Sequence, residues 1–125
     1  MSRSVLIVDD EQHIRLLIEQ TLEELEDEGV ELLTAADGEQ ALEVVANQPP
    51  DLVFLDVSMP KVDGFEVART IKADPALAGT TVIMLTARGQ AVDREEGFAS
   101  GANEYLTKPF DPDDLLARAR TALGL

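Results

Sequence analysis

The sequence contains no cysteine, few basic residues and only one histidine. Without cysteine the chain has no disulfide bond and no thiolate metal site, and this composition fits a reducing cytoplasm. Ten lysines and arginines stand against 25 aspartates and glutamates, which gives a formal charge of −15. Direct nucleic-acid binding requires a basic surface, so the charge argues against that function.

The chain also lacks an apolar run long enough to cross a membrane, and its N-terminus lacks the apolar centre of a signal peptide. We therefore expect no membrane association and a cytoplasmic location. Hydrophobic residues make up 45% of the 125 residues, enough for a buried core. No repeat or linker-like stretch divides the sequence, so we predict a single domain over residues 1–125.

Short apolar runs alternate with helical patterns along the whole chain. Helix starts are indicated by Asp37 with Gln40, by Asp63 with Glu66, and by Asp111 before a proline. The weakest helical pattern covers residues 91–100, where few apolar positions could anchor a helix. Five strand–helix repeats predict an α/β fold, a doubly wound five-stranded parallel sheet with helices on both faces. The predicted strands are residues 4–8, 30–35, 52–56, 82–85 and 105–106.

Polar residues stand at the ends of four predicted strands. Asp9 and Asp10 follow the first strand, Asp56 ends the third, Thr86 ends the fourth and Lys108 follows the fifth. Any one of them could belong to an ordinary turn. However, the carboxyl ends of parallel strands meet at one edge of the sheet, where ligands bind near the reversal of strand order. We therefore expect these side chains to form one site.

Three carboxylates in one site repel each other and raise each other's affinity for protons. A hard divalent cation such as Mg²⁺ relieves this repulsion and keeps open positions for phosphoryl oxygens. Lys108 supplies a positive charge and Thr86 a hydroxyl donor, which are the groups that phosphoryl transfer needs. Asp56 lies on the most central strand and is the best candidate for a nucleophile that forms an acyl phosphate.

The motifs at this edge resemble those of the CheY-like family, the receiver domains of response regulators in two-component signalling. The resemblance extends over essentially the whole chain and implies a flavodoxin-like (βα)5 fold with strand order 2-1-3-4-5. It implies that Asp56 accepts a phosphoryl group from a sensor histidine kinase or a phosphotransfer protein. The domain would be a signalling switch that catalyses only its own phosphorylation and slow dephosphorylation. The matching pieces are Asp9-Asp10, residues 55–60, Asp63-Gly64, Thr86-Ala87 and residues 108–110.

The same resemblance implies a set of metal ligands. Mg²⁺ would be held by Asp10, Asp56 and the backbone carbonyl of Ser58, and Asp9 would contact it through water. It also implies that Thr86 and Tyr105 form a switch pair, since the hydroxyl of the threonine would move toward a phosphorylated Asp56.

Four charged residues, Arg94, Glu104, Asp114 and Arg118, are predicted to lie on the face formed by residues 91–100, the fifth strand and the last helix. They resemble the residues through which receivers attached to winged-helix DNA-binding domains pair symmetrically. That resemblance implies a phosphorylation-favoured homodimer. The alternatives are a monomer that docks another protein at this face, or an ordinary solvated mixture of charges.

Three other functions compete with this interpretation. A phosphatase of the haloacid dehalogenase type requires a second aspartate where Ser58 stands, and it has its nucleophile on the first strand. A flavodoxin-like FMN binder requires a phosphate loop where Asp9 and Asp10 would repel phosphate. A binding module without phosphorylation would not need Asp56, Thr86 and Lys108 together. The single histidine, His13, is expected at the surface without a catalytic role.

Overall fold

Five parallel strands form one sheet in the order β2-β1-β3-β4-β5, as the computed structural model of residues 3–57, 59, 62–87 and 101–125 describes. The predicted fold class and strand order are therefore confirmed, and the weakly apolar β2 lies at an edge of the sheet. The predicted fifth strand was too short, because its pairing with β4 extends from Glu104 to Lys108. The strands are β1 Arg3–Val8, β2 Val30–Ala35, β3 Leu52–Asp56, β4 Thr81–Ala87 and β5 Glu104–Lys108.

The helices of the described residues are α1 Gln12–Glu26, α2 Gly38–Asn47, α3 Gly64–Ala73 and α4 Pro112–Leu123, with a short 3-10 helix at Pro75–Leu77. The helix predicted over residues 91–100 lies outside the described residues. The three predicted caps are confirmed by backbone N–H groups that donate to aspartate side chains. Gln40 donates to Asp37 at 2.8 Å, Glu66 to Asp63 at 3.0 Å, and Asp113 to Asp111 at 2.9 Å.

The sheet is buried on both faces, which explains why its central strands are almost continuously apolar. Alternate residues of each strand point to opposite faces. On one face Val53 and Leu55 pack with α2 and α3, and on the other Leu52 and Phe54 pack with α1 and α4. Full burial of each such side chain stabilises the fold by roughly 1.5–3 kcal/mol. No helix within the described ranges is both long and apolar enough to cross a membrane.

Candidate functional site

Five of the predicted site residues, Asp9, Asp10, Asp56, Thr86 and Lys108, lie at the carboxyl edge of the sheet. Asp9 directly follows β1 and Asp56 ends the neighbouring β3, with Val8 paired in register to Leu55. The chain passes from β1 to β2 on one side and then returns to β3 on the other. The crevice between β1 and β3 is therefore the point where strand order reverses, the usual ligand site of such sheets.

Asp9, Asp10 and Asp56 form a cluster in which one carboxylate oxygen of each lies within 4.8 Å of the others. Asp9 is fully buried, Asp56 is 5% exposed and Asp10 is exposed. Three hard oxygen donors that converge at an edge open to water fit the ligand chemistry of Mg²⁺, which keeps part of its hydration shell. These residues therefore suit a magnesium ion better than a softer metal.

Lys108 neutralises part of this acidic cluster. Its Nζ lies 2.7 Å from Oδ2 of Asp9 and 3.4 Å from Oδ1 of Asp56. Burial lowers the pKa of the Lys108 ammonium, but the hydrogen bond to Asp9 and the charges of Asp56 and Asp9 outweigh burial, and the pKa lies above its ordinary value. The ammonium is therefore positively charged at neutral pH.

Backbone and side-chain contacts fix the position of Asp9. Its Oδ1 accepts a hydrogen bond from the N–H of Glu11 at 2.9 Å, and its own N–H donates to the carbonyl of Ala35 at 3.2 Å. Nη1 of Arg15 donates to the backbone carbonyl of Asp9 at 2.6 Å. The sequence reasoning missed Arg15, although it is the only lysine or arginine in the otherwise acidic α1.

The backbone around Asp56 is held from two sides. The N–H of Val57 donates to the carbonyl of Leu85 at 2.9 Å, and the N–H of Gly64 donates to the carbonyl of Val57 at 3.0 Å. A Cβ atom at Gly64 would lie 2.2 Å from the backbone oxygen of Asp56. The sequence analysis named Gly64 only as part of the matching piece Asp63-Gly64, whereas the structure shows that the close approach of two backbone segments requires glycine there.

Thr86 and Tyr105 lie on adjacent strands and on the same face of the sheet. Tyr105 is paired in register with Met84, and Thr86 is two residues further along β4. Thr86 is 1% exposed, while Tyr105 is partly buried and packs against the core on the α2 and α3 face. The two residues are therefore diagonal neighbours. The peptide bond between Lys108 and Pro109 is cis.

Three of the four predicted interface residues are described, and they pair with one another within the chain. Nη1 of Arg118 lies 2.6 Å from Oε1 of Glu104, and its Nε lies 3.2 Å from Oδ2 of Asp114. Arg94 and the predicted metal ligand Ser58 lie outside the described residues.

His13 is exposed, with its Nε2 3.4 Å from Oε2 of Glu11. The predicted surface position of His13 is therefore confirmed.

Comparisons with known proteins agree with the geometry of the site. The family model of the response regulator receiver domain matches residues 5–120. The chain is 43% identical over 119 residues to the DNA-binding dual master transcriptional regulator RpaA of Synechocystis sp., covering 95% of this chain and 48% of RpaA. It is 40% identical over 123 residues to the phosphate regulon transcriptional regulatory protein PhoB of Pseudomonas aeruginosa, covering 98% and 52% of the two chains. The chain thus spans about half the length of these curated relatives.

A solved structure shows the same fold over nearly the whole chain. The chemotaxis response regulator CheY4 of Vibrio cholerae superposes with a TM-score of 0.85 at 35% sequence identity, covering 98% of this chain and 99% of CheY4.

Proposed function

Because the chain belongs to the response regulator receiver domain family and is a signalling domain of two-component systems, we propose that Asp56 is its phosphoacceptor. The observation that carries this proposal is the pairing of the buried Asp56 carboxylate with the Lys108 ammonium inside a three-carboxylate cluster. This arrangement holds a nucleophile, a fixed positive charge and metal-binding oxygens within one crevice. Phosphoryl transfer requires those three elements.

In the proposed reaction, a carboxylate oxygen of Asp56 attacks the phosphorus of a phosphohistidine on a sensor histidine kinase or a phosphotransfer protein. The new P–O bond forms an acyl phosphate, the P–N bond breaks, and the bonding electrons leave with the imidazole. Lys108 is fixed by Asp9 and neutralises charge on the transferred oxygens, and Thr86 donates its hydroxyl to one of them. The domain would catalyse this step and the later hydrolysis on itself alone.

Mg²⁺ would be held by Asp10, Asp56 and the backbone carbonyl of Ser58, with Asp9 contacting it through water. When bound, the ion would neutralise charge on both the carboxylates and the incoming phosphoryl group. The proximity of the three carboxylates supports this assignment, because the ion relieves their mutual repulsion.

We expect Mg²⁺ to raise the midpoint of thermal unfolding, because the ion binds the folded site and not the unfolded chain. At a free concentration about ten times the dissociation constant, the stabilisation is about 1.4 kcal/mol. For a domain of this size that corresponds to a rise of roughly 3–6 °C. Asp10→Ala removes an exposed ligand and should abolish the rise, which differential scanning calorimetry with and without Mg²⁺ measures.

Asp27→Ala is the matched control, since Asp27 is an exposed aspartate at the end of α1, outside the acidic cluster. It should retain the full response to Mg²⁺. An equal response in Asp10→Ala and the wild type would show that the ion binds elsewhere.

For the output of the domain, we propose a two-state rearrangement of Thr86 and Tyr105. A phosphoryl group on Asp56 draws the Thr86 hydroxyl toward it, and Tyr105 turns into the space that the threonine leaves. Their positions as diagonal neighbours on β4 and β5 support this coupling. The rearrangement would alter the face that carries Glu104, Asp114 and Arg118.

We propose that this altered face forms a homodimer, in which Asp114 pairs with the partner's Arg94 and Glu104 pairs with the partner's Arg118. Because Arg118 already contacts both carboxylates within the chain, dimerisation exchanges or shares existing ion pairs. The net contribution of these ion pairs to the free energy of dimerisation is therefore modest. The alternative is a monomer that docks another protein here.

Beryllofluoride, a stable mimic of the phosphoryl group, is expected to raise the dimer fraction in sedimentation experiments. Arg118→Glu should weaken the dimer by about tenfold, because attractive pairs become repulsive on both sides of the interface. Arg120→Glu is the matched control on the same helix, since Arg120 also bridges two carboxylates, Glu24 of α1 and Glu28 in the turn after it. A monomer at high concentration with beryllofluoride would exclude the dimer.

We further propose that residues 1–125 act as one domain in the cytoplasm. With a formal charge of −15, this domain would not bind nucleic acid directly.

A further inference from the structure

Arg15 of α1 holds the backbone carbonyl of Asp9. Its Nη1 donates to that oxygen at 2.6 Å, and a hydrogen bond from a charged donor is roughly twice as strong as a neutral one. Arg15 is partly buried, and three positions further along α1 the side chain of Ile18 is fully buried against the sheet, as is that of Leu22. The guanidinium therefore extends from a helix that the core keeps in place.

The carbonyl that Arg15 holds belongs to the peptide group that joins Asp9 to Asp10. Because this group is planar, rotation about the Cα–C bond of Asp9 moves its carbonyl oxygen and the Cα atom of Asp10 together. A hydrogen bond that fixes the oxygen thus fixes the direction in which the chain reaches Asp10. Arg15 acts in this way on a predicted metal ligand through the backbone.

Asp10 depends on its backbone more than the other members of the acidic cluster do. Asp9 and Asp56 are buried, so their neighbours in the core help to hold them, whereas Asp10 is exposed. The N–H of Glu11 donates to Oδ1 of Asp9 at 2.9 Å and fixes the chain on the far side of Asp10. Arg15 fixes it on the near side, so Asp10 stands between two tethered peptide groups.

We propose that Arg15 is a positioning residue for the Mg²⁺ site, which holds Asp10 where its carboxylate converges with those of Asp9 and Asp56. The inference rests on the proposed function and adds to the site a cation of α1. One oxygen of each of the three carboxylates lies within 4.8 Å of the others, an arrangement that a turn of the peptide group before Asp10 would disrupt. Binding of the ion therefore requires the contact that Arg15 makes.

Positioning and simple electrostatics predict opposite effects when Arg15 is replaced by methionine. A nearby positive charge repels Mg²⁺, so removing the charge alone would lower the dissociation constant of the ion. Loss of the hydrogen bond to Asp9 should instead raise this constant by about tenfold, the usual effect of losing a group that orients metal ligands. Titration of isotope-labelled protein with Mg²⁺, followed by the amide resonances in NMR spectra, measures the constant.

Arg69→Met is the matched control, because Arg69 is an exposed arginine of α3 outside the acidic cluster. It removes the same charge and should bind Mg²⁺ like the wild type. If Arg15→Met binds Mg²⁺ as tightly as the wild type or more tightly, the proposal is overturned. A merely structural arginine would lower the midpoint of thermal unfolding in metal-free buffer and leave the dissociation constant unchanged.

The rate of phosphorylation by acetyl phosphate provides a second measurement. If Arg15 acts only through the metal, Arg15→Met should need about tenfold more Mg²⁺ for half of its maximal rate and should reach the maximal rate of the wild type. A lower maximal rate with an unchanged requirement for Mg²⁺ would contradict the proposal, because Arg15 would then act on the transfer itself.

The outcomes separate this inference from the proposed function. If the wild type neither binds Mg²⁺ nor gains a phosphoryl group, the proposed function fails. If the wild type does both and Arg15→Met has an unchanged dissociation constant, only the role of Arg15 fails. Arg15→Gln removes the same charge and has a side chain too short to reach the carbonyl, so it should show the same tenfold rise and replaces Arg15→Met if that variant does not fold.

Discussion

Asp56→Asn protein is expected to gain no mass when it is incubated with acetyl phosphate and Mg²⁺, whereas the wild type gains the mass of one phosphoryl group. The amide of asparagine has the shape of the carboxylate but lacks its nucleophilic oxygen and its charge. Loss of labelling should therefore be complete, since a single nucleophile forms the acyl phosphate. Intact-mass spectrometry at short incubation times measures both proteins directly.

The matched control for this change is Asp27→Asn, which makes the same substitution at the exposed residue directly after α1. This protein should gain the phosphoryl group as fast as the wild type. The assignment of Asp56 would be wrong if Asp56→Asn gained the same mass to the same extent. Because the substitution also removes one of three clustered negative charges, the variant should fold at least as stably as the wild type without metal.

Lys108→Met is expected to lower the stability of the metal-free protein by about 2–3 kcal/mol, because breaking a buried ion pair leaves an uncompensated charge. Asp9 is that charge, since it is fully buried and Lys108 Nζ lies 2.7 Å from its Oδ2. The estimate is below the usual range for buried pairs because the Lys108 side chain is 17% exposed and partly screened by water. The midpoint of thermal unfolding should fall by roughly 10 °C.

Mg²⁺ should restore part of this loss, so the Lys108→Met protein should respond more strongly to the ion than the wild type does. The metal would take over the neutralisation of Asp9 and Asp56 that the ammonium provides in its absence. Phosphorylation by acetyl phosphate should nevertheless become slower, because the fixed charge beside the transferred oxygens is gone.

Lys72→Met provides the comparison for this prediction. Nζ of Lys72 donates to the backbone carbonyl of Thr80 at 2.5 Å and lies outside the acidic cluster. Burial lowers the pKa of the Lys72 ammonium, which means that the folded protein does not favour its charged form. Replacing Lys72 therefore removes no favourable interaction of a charge. This variant should have the Mg²⁺ response of the wild type. A Lys108→Met protein as stable as the wild type in metal-free buffer would contradict the proposed role of Lys108.

The order of the elements was predictable because it depends on local patterns. A strand such as Leu52–Asp56, in which nearly every residue is apolar, is typical of a parallel sheet whose two faces are both covered by helices. The caps at Asp37, Asp63 and Asp111 involve residues two or three positions apart, so the sequence displays them directly. The extent of β5 was less predictable, because its pairing with the distant β4 decides where it begins and ends.

The sequence by itself determined the site residues as a set, since strand ends place Asp9, Asp56, Thr86 and Lys108 at one edge of any parallel sheet. Only the tertiary structure decided how they are connected. It pairs Lys108 most closely with Asp9, across 99 positions of sequence, and it brings Gly38 against the loop after Asp56. The pattern of apolar and polar residues predicts on which face of the sheet, or at which of its edges, a side chain lies. Distances between segments far apart in the chain depend on how helices pack on the sheet, and no local pattern contains that information.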